Sequence, residues 1–292
     1  MSALPFCSGY RVAAWKCSGL LLPVVAAVSP AFGLEPPPER WSLFHPVPEA
    51  LMRDLSADRP DTTESPVTVD AGHFQIESSF FDFGRGRSPE GRTDTFTWGS
   101  INLKAGLLPN ADLQIVFDPW VEQRLTGPGG VRETVSGAGD PAVRLKVNLF
   151  GNDGGRTALA VMPFVGIPTG SQVSAGEWEG GIIVPFSVEV AERVSLGLMV
   201  ELDWVADDGG GGTHQEWVHT AVVGFGLTEK LGFYLEYAGT AGREDGFDYQ
   251  AACSGGFTWT ASDNVQWDIG GRIGLNSAAE EFGLFTGITR RL

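Results

Sequence analysis

Charged and amide side chains recur at every second position in several stretches of this sequence. The stretch "VRLKVNLF" (143–150) places Arg144, Lys146 and Asn148 on one parity and apolar residues on the other. Successive side chains of a β-strand point to opposite faces, so the stretch forms a ribbon with one apolar and one cationic face. Such polar faces could line a solute path, which needs charge and hydrogen bonding more than a reactive group. Alternation places these charged residues on polar faces: Lys104, Asp112, Asp118, Glu122, Arg144, Lys146, Glu201, Asp203, Glu236, Asp268 and Arg272.

Two folds would use ribbons of this kind. In a soluble sandwich the apolar face packs against a second sheet. In an outer-membrane barrel it meets lipid, and the polar face meets a hydrated lumen. The chain contains about twelve strand-like segments, each roughly 10 to 14 residues long and separated by turn residues. We expect strands at 72–84, 93–108, 111–125, 138–150, 156–167, 178–190, 193–206, 214–227, 231–241, 249–261, 264–275 and 281–292.

The connections between these segments alternate in length. Short turns such as "PN" (109–110) and "SD" (262–263) alternate with longer, glycine-rich loops such as "RGRSPEGR" (85–92) and "TGPGGVRE" (126–133). A barrel has short periplasmic turns and longer outer loops, whereas a sandwich gives no reason to sort loops by parity. The sequence therefore predicts an all-β fold, a single antiparallel transmembrane β-barrel of about 12 strands over residues 72–292.

The N-terminus has the pattern of an export signal. Basic residues precede the apolar run "GLLLPVVAAV" (19–28), and Ala31 and Gly33 suit the small-residue positions of a cleavage site. A membrane anchor is the alternative, but the run is too short to span a bilayer comfortably. We therefore expect residues 1–33 to be a cleaved secretory signal peptide.

Residues 34–71 are rich in proline and acidic residues and have no period of two, which predicts an irregular periplasmic N-terminal arm. Its stretch "DRPDTTES" could plug the periplasmic mouth of a barrel by hydrogen bonding to lumen residues. The residues that would do so are Asp58, Arg59, Asp61 and Glu64. A solvated tether is an equal alternative.

Several function classes are disfavoured. The net charge of −16 makes nucleic acid a poor partner. His214 and His219 are five residues apart and therefore lie on opposite faces of a strand, so they cannot bind one metal ion without a bulge. We expect no metal and no other cofactor. An outer-membrane lipid hydrolase would need a serine beside a histidine, and the sequence has no recognisable arrangement of this kind. Lumen charges that pair with one another could also fill a narrow barrel, which leaves open a structural barrel without a pore.

The segment "DRPDTTESPVTVDAGHFQIESSFFDF" (58–83) resembles the start of a bacterial outer-membrane transporter family associated with the MetA-pathway of phenol degradation. Further similar stretches follow in the same order, among them "GAGDPAVRLKVNLFG", "MPFVGIPTG", "EWEGGIIVPFSVEV" and "VQWDIGGRIGLNSAAEEFGLFTGITRRL". The resemblance implies a barrel in the outer membrane of a Gram-negative bacterium that passes small solutes, aromatic or other hydrophobic compounds among them. There is no ATP or ion-coupling motif, so we expect passive diffusion.

For a barrel in the outer membrane we expect these partners: outer-membrane lipid and lipopolysaccharide, a small-molecule solute and the barrel assembly machinery. One residue departs from the usual pattern. Outer-membrane barrels commonly end in an aromatic residue that the assembly machinery reads, whereas this chain ends in Leu292.

Overall fold

The computed structural model describes residues 41–88, 91–207, 212–243 and 248–292. The predicted signal peptide (1–33) and the first residues of the predicted arm (34–40) lie outside the described residues. Within the described ranges, no helix has the length and apolar character that a helical membrane span requires.

Antiparallel strands form almost the whole of the described chain after residue 73, and two short 3₁₀ helices lie at Glu49–Leu51 and Pro128–Gly130. The strands are β1 (Phe74–Ser88), β2 (Gly91–Leu108), β3 (Ala111–Phe117), β4 (Trp120–Thr126), β5 (Arg132–Gly137), β6 (Ala142–Phe150), β7 (Thr157–Gly166), β8 (Glu179–Ala191), β9 (Val194–Ala206), β10 (Thr213–Gly226), β11 (Leu231–Gly242), β12 (Gln250–Ser262), β13 (Val265–Gly274) and β14 (Phe282–Arg291).

The sheet closes on itself. Strand β1 pairs with β2 on one side and with the last strand, β14, on the other. Full closure leaves no open edge at membrane depth, where an unpaired backbone N–H or C=O could find no water. The predicted antiparallel barrel is therefore confirmed.

The described strands correspond to twelve barrel staves, because two staves are interrupted. Strands β3 and β4 lie end to end along β2, and β5 and β6 continue this arrangement beside them. Asp118 and Pro119 separate β3 from β4, and a proline cannot donate the N–H that an unbroken ladder needs. The strand predicted at 111–125 is thus split into β3 and β4. Strand β5 was not predicted: it begins within the predicted 126–133 loop and ends before residue 138, where the next strand was predicted to begin.

The two faces of β6 are separated in the barrel wall. Leu145 and Leu149 are exposed on the outside, whereas Arg144, Lys146 and Asn148 are buried in the interior. Outside the barrel the apolar side chains meet lipid. The alternation in the sequence therefore corresponds to an apolar surface facing the membrane and a polar interior.

The alternation of inward-facing and outward-facing side chains changes phase partway along the first strands, β1 to β4. Gly99 adopts a φ of 68°, and β1 has a bulge between Ser79 and Phe81. A bulge re-aims the side chains that follow it. As a result Trp98 and Trp120 pair on the outer face.

Glu122 follows this phase change and lies on the outer face, not in the interior where alternation placed it. Its cross-strand partner is Phe96, and cross-strand partners share a face. The guanidinium of Arg124 lies 4.6 Å from the centre of the Phe96 ring. The break at Asp118 and Pro119 is the physical reason, because alternation counted along an unbroken strand does not hold across it.

The outer face generates a prediction. Leu145→Arg puts a charge near the middle of the membrane and is expected to lower the free energy of unfolding by about 2–4 kcal/mol. Leu108→Arg, at the end of β2 beside a short turn, is the matched control and is expected to cost about 0–1 kcal/mol. Denaturant unfolding in lipid vesicles measures both. Equal losses would contradict the placement of Leu145 at membrane depth.

Candidate functional site

The N-terminal arm crosses the inside of the barrel. Its residues 58–69 hydrogen bond with inward-facing side chains of β1, β2, β3, β6, β10, β11 and β13. These strands surround the interior, so the arm is held from several sides. The candidate site is therefore the interior itself, shared between the wall and the arm.

Asp58 is the centre of the largest charge cluster. Its carboxylate accepts hydrogen bonds from Lys104 Nζ at 2.5 Å and from Lys146 Nζ at 2.6 Å. Its backbone N–H donates to Glu77, which also pairs with Lys104. All four side chains are more than nine-tenths buried.

The protonation of Asp58 follows from this cluster. Burial by itself would raise the pKa of the carboxyl group, but the positive charges of Lys104 and Lys146 outweigh it and hold the pKa well below its usual range. Asp58 is thus a carboxylate inside the barrel. Removing one member of such a buried cluster leaves an uncompensated charge.

Two further ion pairs join the arm to opposite parts of the wall. Arg59 Nη2 lies 2.8 Å from Asp268 Oδ1 on β13. Arg144 Nη1 on β6 lies 2.6 Å from Glu64 Oε1. Together with Asp58, these pairs connect the arm to strands from both halves of the chain.

Glu236 on β11 binds the arm through neutral donors. Its carboxylate accepts hydrogen bonds from the backbone N–H groups of Thr62 at 3.0 Å and Thr63 at 2.8 Å. The hydroxyl of Ser254 donates to the same carboxylate at 2.8 Å. The interior acid therefore satisfies backbone donors that an irregular segment would otherwise leave unpaired.

The last part of the arm packs closely on the wall at the periplasmic end. Asp70 pairs with Arg53 at 2.8 Å and with Arg291 at 3.2 Å. The carbonyl oxygen of Asp70 approaches Gly106 so closely that a Cβ there would lie 2.0 Å from it. Gly106 thus provides the room that the backbone of the arm occupies.

The other predicted lumen residues have varied partners. Asp112 accepts from the N–H of Val69 at 2.9 Å, and Asp118 accepts from the Ser100 hydroxyl. Arg272 pairs with Asp82 at 2.8 Å. Glu201 is buried and Asp203 is partly buried, both on the inner face of β9.

A cavity of about 760 Å³ remains beside the arm, near the short turns. Arm residues including Arg59 and Asp61 line one side, and the wall residues Ser195, Gly224 and Tyr234 line the other. Asp61 is partly exposed to this cavity. Burial within the barrel, followed by the charge of Glu236, raises the pKa of Asp61 well above its ordinary value of 3.8.

Sequence reasoning missed several residues that hold the arm. Glu77, Asp70 and Thr63 are buried and bind across the interior. The alternation of Gln75, Glu77 and Ser79 could have identified Glu77 as inward-facing. Asp70 and Thr63 lie in the irregular arm, where no period marks a face.

The Asp58 cluster generates a stability prediction. Asp58→Ala leaves Lys104 and Lys146 without their shared carboxylate, and the free energy of unfolding is expected to fall by about 3–5 kcal/mol. Asp54→Ala is the matched control, because Asp54 is exposed on the same arm. Denaturant unfolding with limited proteolysis of the arm measures the effect. A loss no larger than that of the control would argue against the cluster.

Asp61 generates a prediction about pH. A carboxyl group whose pKa is raised on folding contributes stability that is complete below its unfolded pKa and is lost as the pH rises through its folded pKa. The free energy of unfolding should therefore fall with pH above 3.8. In Asp61→Asn this fall is expected to be smaller, because the side chain cannot ionise. If the free energy of unfolding depends on pH in the same way in the native protein and in Asp61→Asn, the prediction is contradicted.

Comparison with known proteins gives a family and a fold. The family model described as "Putative MetA-pathway of phenol degradation" matches residues 57–292. No curated protein sequence matches the chain.

Solved structures of the same architecture include the NanC porin, with 11% identity, a TM-score of 0.50, and coverage of 73% of this chain and 100% of the porin. The CymD monoaromatic hydrocarbon channel has 10% identity and a TM-score of 0.44, with coverage of 75% and 88%. An anion-selective porin from Comamonas acidovorans has 9% identity and a TM-score of 0.38, with coverage of 75% and 98%.

The likeness to the NanC porin agrees with the closed antiparallel sheet and its apolar outer face, so the protein is a β-barrel of the outer-membrane class. Because the family model covers nearly all of the chain from the arm to the last residue, the chain belongs to the "Putative MetA-pathway of phenol degradation" family.

Proposed function

We propose that this protein is a passive outer-membrane channel for small solutes and that its N-terminal arm plugs the barrel. The observation that carries the proposal is the set of ion pairs from Asp58, Arg59 and Glu64 to inward-facing residues of β2, β6 and β13. A tether in solvent would have no need of buried charge partners. Asp61, the remaining predicted plug residue, borders the cavity beside the arm.

The wall residues are assigned the role of a solute-facing lining. Once the arm moves, Lys104, Arg144 and Lys146 would face the acidic residues Glu201, Asp203, Glu236 and Asp268 across the interior. Facing charges of opposite sign produce a transverse field that orients polar solutes. The family description supports aromatic compounds among the solutes.

A non-enzymatic role agrees with the positions of the histidines. His73 contacts the carbonyl oxygen of Val47, His214 lies between Asp207 and Glu216, and His219 lies against Tyr249. These contacts are at separate places in the barrel and do not combine a histidine with a serine nucleophile.

A second candidate is a structural barrel without an open pore. The occupied interior favours it, because the arm and the ion pairs fill much of the space that a solute would cross. The two candidates differ in whether the arm can leave the interior while the wall stays folded.

Assembly is proposed to use the outer-membrane insertion machinery, with lipid and lipopolysaccharide around the folded wall. The terminal residue Leu292 exchanges backbone hydrogen bonds with Phe74, which joins the two ends of the sheet. The apolar side chain of Leu292 is exposed.

Planar-bilayer conductance tests the channel and the plug together. The triple variant Asp58→Ala, Arg59→Ala, Glu64→Ala removes the charges that hold the arm and is expected to open long-lived conducting states, whereas the native chain is expected to open rarely. Asp54→Ala is the control and should behave like the native chain. A heat-modifiable, folded triple variant that stays silent would favour the structural barrel.

A further inference from the structure

Strands β7 and β8 have apolar residues on both faces. The sequence of β7 is "TALAVMPFVG", and β8 contains "GIIVPF". On the inner face, Met162, Ile183 and Met199 form a buried cluster with Phe164 and Val218 packed against it. The wall is therefore apolar from the interior to the lipid at this place.

The same two strands contain prolines within the wall. Pro163 lies in β7 and Pro185 in β8. Proline lacks the N–H that a central strand donates, so it is normally confined to sheet edges and bulges. A closed barrel has no edges, and two prolines in adjacent strands weaken one region of its ladder.

The strand register shows where the ladder is interrupted. Between β7 and β8 it passes from Leu159↔Phe186 to Met162↔Ile183, without pairing the two residues between them on either strand. Between β6 and β7 it passes from Arg144↔Phe164 to Val147↔Val161, again leaving two residues unpaired on each strand. Within these described strands, the middle of β7 is thus less firmly bonded to β6 and β8 than the two ends of β7 are.

This region lies at the depth where the arm crosses the interior. Lys146, which binds Asp58, belongs to the unpaired part of β6 opposite Met162. On the apolar side, the backbone N–H of Glu64 contacts Met199 Sδ at 3.4 Å. The arm is anchored elsewhere by ion pairs and by its hydrogen bonds to Glu236, whereas this weak contact holds it at the apolar cluster.

From these observations we propose that β7 forms a lateral route by which small apolar solutes pass from the barrel interior into the outer-membrane bilayer. The solute displaces the arm from the Met162 cluster, while the ion pairs on the charged wall persist, and it leaves between β7 and β8. The inference rests on the proposed passage of small solutes through the barrel. It adds the exit and the chemical class that uses it.

A disulfide across the interrupted ladder tests the route. Val161 and Val184 lie opposite each other in the register between Leu159↔Phe186 and Met162↔Ile183. The full-length variant Val161→Cys, Val184→Cys should fasten β7 to β8 when oxidised. The matched control is Val223→Cys, Leu235→Cys, a pair in the regular β10–β11 ladder.

The readout is entry of N-phenyl-1-naphthylamine, an apolar dye that fluoresces in lipid, into the outer membrane of intact cells producing each protein. Oxidation of the β7–β8 pair is expected to reduce the entry rate to that of cells without the protein, and reduction of the disulfide is expected to restore it. Oxidation of the control pair is expected to leave the rate unchanged. Unchanged entry with the β7–β8 disulfide, or equal loss with both disulfides, would overturn the proposal.

A second variant covers failure of the disulfide to form. Pro163→Val with Pro185→Val restores two N–H donors to the ladder and should also slow dye entry, with greater resistance to denaturant. Conductance of the arm-released triple variant, measured separately, distinguishes the two proposals. If the triple variant conducts but neither the disulfide nor the proline variant slows dye entry, only the lateral route is refuted. If the disulfide slows dye entry but the triple variant does not conduct, only a water-filled pore is refuted.

Discussion

The buried carboxylate of Asp58, held between Lys104 and Lys146, is the interaction on which the arrangement of the interior depends. Two ammonium groups on the inner faces of β2 and β6 would repel each other and would be costly to bury without an anion. The arm supplies that anion, and Glu77 on β1 supplies a second one to Lys104. The charges of the wall and of the arm are therefore complementary. Without the arm, the lysines of the wall would lose the anion that neutralises them, and without the wall, Asp58 would lose its cations.

The wall meets a different constraint. In lipid each backbone polar group must bond within the protein, and a closed antiparallel sheet does this through the pairing of β1 with β14. An irregular segment can lie at the same depth only inside the wall, where polar side chains receive its N–H groups. Glu236 and Asp112 do this for Thr62, Thr63 and Val69. The closed wall and its polar lining make an irregular arm stable at membrane depth.

Much of the barrel fold could be predicted from the sequence, because a period of two is a direct consequence of strand geometry. Alternation in 143–150 correctly separated Leu145 from Lys146, and loop lengths correctly indicated a barrel. The prediction for Glu122 did not hold, since a proline and a positive-φ glycine change the phase of alternation within the first strands. The residues that bind the arm could not be predicted from the sequence, for a different reason. Asp70 and Thr63 bind residues far away in sequence, and the irregular arm has no period that could show which way they point.

The partners of the arm are also spread unevenly along the chain. Asp58 meets Lys104 and Lys146 at separations of 46 and 88 residues, whereas Arg59 meets Asp268 at a separation of 209 residues. During synthesis, both lysines that bind Asp58 have been made when residue 146 is complete. The acid that neutralises Arg59 is made more than a hundred residues later. Two neighbouring residues of one short segment therefore connect early and late strands of the wall, and the pairing of Arg59 with Asp268 can form only when the barrel is nearly complete.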